Sequence, residues 1–282
     1  MPTSTPPIVT TDWLAQHLDA PDIRIVDGSW YLPAMARNAQ QEFLDGHISG
    51  AAFFDIDDIS DTESPFPHML PAPEKFSSRM KQLGIGDGHH VVAYDCAGVF
   101  SSARVWWMFQ AMGHENVSVL DGGLPKWKAE GHNLETKQQT RGQRHYTARL
   151  NNFIVRDLGD MQRNLVVKRE QVIDARSKAR FDGTAPEPRA ELSSGHMPGS
   201  LSVPFNLLIN EDGTLKAEQE LKATFEGAGV DLSRPVITTC GSGVTAAILS
   251  LALTVLGHKA TSLYDGSWSQ WAATQGAEIV VS

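Results

Sequence analysis

The stretch "PVITTCGSGVTAAILSLALTVLG" (residues 235–257) decides how this chain is read. A short run rich in β-branched residues ends at Cys240. A Gly-Ser-Gly corner follows, and then an apolar segment from Val244 to Leu256. At 1.5 Å per residue that segment predicts a helix about 20 Å long. It is apolar almost all round, so it belongs in the interior. Strand, glycine corner and buried helix form one step of an α/β fold, in which ligands bind beyond the carboxyl ends of parallel strands. Cys240 stands at such an end, facing the unpaired N–H groups and positive dipole end of the following helix.

Outward from this corner, the chain repeats itself once. "IVDGS" (25–29) returns as "VIDAR" (172–176), and "EFLDGHISGAAFF" (42–54) as "ELSSGHMPGSLSV" (191–203). "VVAYDCAG" (91–98) returns as "VITTCGSG" (236–243), and "GHENVSVLDGGLPKW" (113–127) as "GHKATSLYDGSWSQW" (257–271). The offsets are 147, 149, 145 and 144, so order is kept and only loops drift. A period this long means tandem domains rather than a solenoid. Strands are expected near 23–26, 51–53, 91–94 and 117–120, and again near 172–174, 200–203, 236–239 and 261–264. Helical periods lie between them, as at 12–18, 102–112 and 244–256. Alternating strands and helices predict a parallel sheet covered on both faces in each copy. The domains are set at 8–134 and 153–282. The polar segment "ETKQQTRGQRHYTARLNN" (135–152), which has no apolar period, is read as a linker.

Composition narrows the partners. Hydrophobic content of 41% against 20% charged residues supports a packed core. A net charge of −9 with no Lys/Arg run argues against nucleic acid and anionic membranes. Two cysteines make no disulfide framework, and no Cys/His spacing resembles a zinc site, so no metal is expected. The start, "MPTSTPPIVTTDWLAQHL", lacks a basic and then apolar leader pattern. The expectation is a cytoplasmic protein in a reducing compartment.

Four readings of the Cys240 corner compete. Gly241, Gly243 and Ala246 fit a dinucleotide fingerprint with Asp265 as its acid, yet only 17 residues follow Asp265, too few for the rest of such a sheet. A phosphatase loop needs an arginine six residues beyond the cysteine, where this chain has Ala246. A buried structural cysteine is the commonest fate of this residue type. A thiolate nucleophile is the fourth. Free cysteine is only about 3% ionised at pH 7, and lowering its pKa by two units takes about 2.7 kcal/mol. Loop N–H groups and a helix start can supply that, provided the sulfur remains open to solvent.

The motifs carry a resemblance. "CGSGVTA" resembles the active-site loop of 3-mercaptopyruvate sulfurtransferases, tandem rhodanese-domain proteins, and "GHISGA" and "GHMPGS" resemble the signature of both rhodanese domains. "FFDIDDISD", "SPFPHMLP", "ARVWWMF", "LDGGLPKW", "APEPR" and "LYDGSWSQW" are similar to the same family in the same order. Ser49 and Met197 depart from its G-H-I-P-G-A signature. The resemblance implies two rhodanese folds, each a five-stranded parallel sheet flanked by helices. It also implies a catalytic second domain and a first domain without a working cysteine. In the repeat Asp95 faces Cys240, and a carboxylate there is expected to oppose a thiolate-stabilising pocket. Cys96, one position off, reads as a packing residue, with a redox role as the alternative.

What the resemblance implies for the site is specific. Cys240 is the nucleophile, with Gly241, Gly243, Val244 and Thr245 framing its loop. Arg180 and Arg189 hold the donor's carboxylate, although on sequence alone they also read as surface ion pairs. Ser242, His68 and Asp57 match a hydrogen-bonded proton relay; His68 otherwise reads as an ordinary polar residue. His47 and His196 occur in both copies and read as structural, and Trp106 and Trp107 as packing. Small neutral residues after Cys240 suit 3-mercaptopyruvate, whereas thiosulfate enzymes of this fold carry basic ones. The expected reaction moves sulfur through a Cys240 persulfide to a thiol, thioredoxin included, or to cyanide, and releases pyruvate without any cofactor. A thiosulfate-preferring rhodanese and a non-catalytic persulfide carrier remain alternatives.

Overall fold

The computed structural model describes residues 5–282, so the first four residues of the N-terminal stretch lie outside the described residues. The chain divides into two units. The first takes the chain up to Asp61, Leu70–Asn151 and Glu211–Leu215; the second takes Thr62–Met69, Asn152–Asn210 and Lys216–Ser282.

In the first unit the elements are β1 (Ile8–Val9), α1 (Thr11–His17), β2 (Ile23–Asp27), α2 (Ala39–Asp45), β3 (His47–Ile48) and β4 (Ala52–Phe53). They continue as α3 (Pro73–Gln82), β5 (His90–Tyr94), α4 (Ser101–Ala111), β6 (Val117–Leu120), α5 (Gly123–Ala129) and β7 (Leu134–Glu135). Five strands form a parallel sheet in the order β1-β6-β5-β2-β4, while β3 and β7 make a small antiparallel pair. Every residue of β2 and β6 is buried, as expected where helices cover both faces. The core joins Leu14, Ile25, Phe43, Val92, Tyr94 and Trp127. Trp106 and Trp107 are both buried within α4.

The second unit contains β8 (Val155–Arg156), α6 (Leu158–Val167), β9 (Gln171–Asp174), α7 (Lys178–Phe181) and β10 (Leu201–Ser202). After these come α8 (Glu218–Gly227), β11 (Val236–Thr239), α9 (Ala246–Val255), β12 (Thr261–Tyr264) and α10 (Ser267–Ala273). Its parallel sheet runs β10-β9-β11-β12-β8. Read from the other end, this is the first unit's order, with β8 for β1, β12 for β6 and β11 for β5. The sequence repeat is therefore a repeat of topology. Its core joins Met161, Val172, Ile237, Tyr264, Trp268 and Trp271.

The observed boundaries differ from the expected ones in three places. Segments 62–69 and 211–215 each belong to the unit of the other repeat. Local bonding explains the second case: Val99 N donates to Gly213 O at 3.0 Å and Leu215 N to Asp121 Oδ1 at 2.8 Å. The segment expected as a linker lies along the first unit through Asn151. Its Arg149 N donates to Met112 O at 2.9 Å, and its Tyr146 is buried beside Phe76 and Phe109. Polar composition concealed these anchors. Third, α9 begins at Ala246, because Gly243 takes a left-handed φ of 80° and holds residues 241–245 as a separate loop.

Candidate active site

Strand β11 is buried along its whole length and delivers Cys240 to the sheet's carboxyl end. Helix α9 starts behind it without any side-chain cap, unlike α1, α2 and α6, which are capped by Thr10, Asn38 and Asp157. Among the described residues, the main-chain N–H groups of Ser242, Val244 and Thr245 donate to no acceptor in the chain. An uncapped, buried helix start of this kind favours an anion.

The carbonyls of the loop are turned the other way. Cys240 O accepts from Trp268 N at 2.9 Å. Gly241 O accepts from Ser269 N at 2.9 Å and from the Ser269 hydroxyl at 2.6 Å. Cys240 N in turn donates to Ser267 Oγ at 3.2 Å. Ser267 holds φ at 48°, a conformation rarely taken by a side-chain-bearing residue.

His68 reaches this loop from its own segment of the second unit. Its Nδ1 lies 3.0 Å from Ser242 Oγ, and both residues are buried. Its φ of 60° also lies in the left-handed region. Asp57 belongs to the first unit, where it is exposed and accepts from Trp30 Nε1 at 3.2 Å.

Of the predicted arginines, Arg180 stands at the loop and Arg189 at Ser269 of α10. A Cβ placed on Gly241 would come within 3.1 Å of Arg180 Nη2, so glycine leaves room for the guanidinium there. Arg180 is gripped along one edge by Glu187, through Nε at 3.1 Å and through Nη2. The buried Glu187 also accepts from Arg176 Nη1 at 2.7 Å. Arg176 forks onto Asp174 and lies 4.1 Å over the Trp268 ring. Two acids and two arginines thus balance in a buried chain, which burial requires because an unpaired ion is costly. Arg189 Nη1 donates to Ser269 Oγ at 3.4 Å.

One expectation is corrected. The nucleophile reading asks for a sulfur open to solvent, but Cys240 is only 2% exposed. The loop curls over β11 because three consecutive residues of α10 hold its main chain. Sequence reading also passed over Ser267, Ser269, Glu187 and Arg176. All four lie inside motifs already marked by the repeat or the resemblance, and only their partners were hidden. His47 and His196 are buried, bond through Nδ1 to the Phe43 and Phe181 carbonyls, and stack on those same rings.

The equivalent corner of the first unit is filled by its own chain. Asp95 is buried, and its carboxylate accepts from Ala97 N at 2.8 Å, Phe100 N at 2.9 Å and Ser102 N at 2.8 Å. Burial pushes this carboxyl up from the ordinary range, while the N–H groups pull it down. The carboxylate does not oppose the anion pocket, as the sequence suggested; it occupies it.

Two such corners on two matching parallel sheets define a tandem α/β protein with a cysteine at one corner and a self-filled loop at the other. The chain belongs to the rhodanese family: the family model described as "Rhodanese-like domain" matches residues 10–130 and 157–274. It is similar to human 3-mercaptopyruvate sulfurtransferase, with 41% identity covering 98% of this chain and 95% of that protein. It is 43% identical to the mitochondrial thiosulfate/3-mercaptopyruvate sulfurtransferase 1 of Arabidopsis thaliana, over 94% of this chain and 76% of that one. The crystal structure of a 3-mercaptopyruvate sulfotransferase from Escherichia coli superposes with a TM-score of 0.86 at 43% identity, covering 94% of this chain and 99% of that one. Among the described residues, no helix is long and apolar enough to cross a membrane.

Proposed function

We propose that this chain moves the sulfur of 3-mercaptopyruvate to a thiol acceptor through a persulfide on Cys240, releasing pyruvate. The observation that carries the reading is the placing of Arg180 beside Gly241 in a small, neutral loop where, among the described residues, the N–H groups of Ser242, Val244 and Thr245 donate to no acceptor in the chain. The free edge of Arg180, together with Arg189, binds the donor's carboxylate and keto oxygen; a guanidinium fork suits that recognition. The Cys240 thiolate attacks the donor's thiol sulfur. The carbon–sulfur bond breaks, its electron pair stays with carbon as the enolate of pyruvate, and that carbon takes up the proton leaving the donor thiol. Ser242 carries this proton, with His68 behind it. The loop N–H groups from Gly241 to Thr245 hold the persulfide anion. An acceptor thiol then takes the outer sulfur, which regenerates the Cys240 thiolate. Small thiols, reduced thioredoxin and, in vitro, cyanide fit that second step.

The strained backbone of His68 supports its assignment, since a left-handed non-glycine residue costs about 1–3 kcal/mol and tends to persist where function needs it. Two free cysteines suit a reducing setting, the cytoplasm of the sequence reading. A second reading, thiosulfate as the preferred donor, draws on the paired donor name of the Arabidopsis relative. The neutral Gly241-Ser242-Gly243 run speaks against it, because a dianion gains more from basic neighbours.

The test is intact mass after exposure to 3-mercaptopyruvate. The native chain is expected to gain one sulfur atom with release of pyruvate, and Cys240→Ser to gain none. A native chain that gains no sulfur overturns the enzyme and leaves a carrier or docking module. A kcat/KM that favours thiosulfate overturns the donor assignment.

A further inference from the structure

We infer that Ser269 is a positioning residue that couples recognition of the donor's carboxylate to the orientation of the sulfur-holding main chain. The inference rests on the site assigned under Proposed function and deepens it. A trans peptide points its carbonyl and its N–H in opposite directions. Pinning Gly241 O toward α10 therefore turns the N–H of Ser242 toward the other side of the loop. Ser269 supplies both pins, its main-chain N–H at 2.9 Å and its hydroxyl at 2.6 Å. The same oxygen accepts from Arg189 Nη1 at 3.4 Å. One hydroxyl thus touches both the peptide that aims an N–H and an arginine assigned to the donor.

The internal repeat supplies an independent comparison. Offset by 144 residues, Ser269 corresponds to Pro125, Trp268 to Leu124 and Ser267 to Gly123. The middle bond exists in both units, because Leu124 N donates to Asp95 O at 2.9 Å as Trp268 N donates to Cys240 O. The flanking bonds do not. Proline has no N–H and no hydroxyl, so the carbonyl after Asp95 lacks both pins. A Cβ on Gly123 would come within 2.4 Å of Asp95 O, whereas the second unit accommodates Ser267 and uses its hydroxyl to accept Cys240 N. The extra main-chain control occurs only where the corner holds a cysteine.

Three variants test this. Ser269→Ala removes the hydroxyl and keeps the N–H, Ser269→Thr keeps both, and Ser269→Pro removes both, as in the first unit. Cys240 ionisation is read from the pH dependence of alkylation by iodoacetamide, which needs no sulfur donor. Losing one neutral hydrogen bond is worth about a two- to tenfold change. Ser269→Ala is therefore expected to move the alkylation profile toward higher pH by up to about one unit. It is also expected to raise KM for 3-mercaptopyruvate by a similar factor. Ser269→Pro should shift the profile further, and Ser269→Thr should restore both readouts. An unchanged profile in a folded Ser269→Ala, with thermal unfolding as the control, overturns the inference, as does a Ser269→Thr that behaves like alanine. If the native chain proves inactive toward 3-mercaptopyruvate yet the profile still shifts, the donor assignment fails and the positioning role of Ser269 stands.

Discussion

The two strand-to-helix corners, 95–102 and 240–247, are the same fold solved for opposite purposes. In the first unit Asp95 brings a negative charge into the pocket, and three main-chain N–H groups close on it. In the second unit the residue in that place is a thiol, and the corresponding stretch of main chain keeps N–H groups without acceptors in the chain. A carboxylate brings acceptor oxygens of its own, so it saturates the donors and fixes the loop. A thiol acquires charge only on ionising, so the same donors remain available to favour the anion. The lesson is that a single residue decides whether this corner is a structural knot or a reactive one. The α10 hydroxyls around Cys240 are the further adjustment that comes with the reactive choice.

The strongest way to break this comparison is to remove the first unit's own anion. Asp95→Ala leaves the buried Ser102 N–H and the part-buried N–H groups of Ala97 and Phe100 without their acceptor, and a buried donor left unsatisfied costs about 1–3 kcal/mol. With water partly replacing the lost partner, urea denaturation is expected to show a loss of about 3–5 kcal/mol. Asp95→Asn keeps one acceptor oxygen and should lose less than half of that. Equal losses in the two variants would mean that the packing of Asp95, not its hydrogen bonding, holds the loop.

Much of this contrast was legible in the sequence. The repeat aligned Asp95 with Cys240, and the apolar runs at 91–94 and 236–239 located the central strands to within a residue. The edge strands β1 and β8 escaped notice because each has two residues, too few to show a period, and neither adjoins a repeated motif such as the G-H signature that marked the equally short β4 and β10. The exchanged segments 62–69 and 211–215 were illegible because composition says nothing about which core a loop joins. Glu187 was visible within "APEPR", but it lies in a loop outside any helix or strand, so no periodicity linked it to its partners Arg176 and Arg180, 11 and 7 positions away. The role of Asp95 was misread for a physical reason. A charge was judged by its sign alone, without counting the donors that the fold would turn toward it.

A second test sharpens the comparison one strand away. Asp27 in β2 and Asp174 in β9 are equivalent, but only Asp174 has an arginine: Arg176 forks onto it, whereas Asp27 has the Ser29 hydroxyl and N–H. Burial raises Asp27 from 3.8 to about 6, against the pull of Ser29. The folded state therefore binds more protons than the unfolded one between these values. Stability contributed by Asp27 is fully present below about pH 4 and is lost as pH rises through about 6. At 1.36 kcal/mol per unit this amounts to about 3 kcal/mol. Asp27→Asn removes the titration. Between pH 4 and pH 7 its stability is expected to improve by about 3 kcal/mol relative to the native chain. A gap that stays constant with pH would show that Asp27 is ionised throughout in the folded protein.

The smallest effect is expected at Cys96, and it separates a cysteine beside the pocket from a cysteine in it. The Cys96 thiol is half-buried against the first unit's core, and burial, with the nearby Asp27 charge, pushes it up to about 11. At pH 8 only about 0.1% of it is thiolate, so its reactivity falls well below that of a free cysteine. Cys96→Ser is expected to leave sulfur transfer unchanged and to alter stability by less than about 1 kcal/mol. In the native chain, iodoacetamide at pH 8 should label Cys240 first and leave Cys96 largely unmodified. Peptide mapping resolves the two sites. Labelling of Cys96 at a rate equal to or above that of Cys240 would mean that burial and the Asp27 charge do not silence the first unit's thiol, and the division between the two corners would no longer hold.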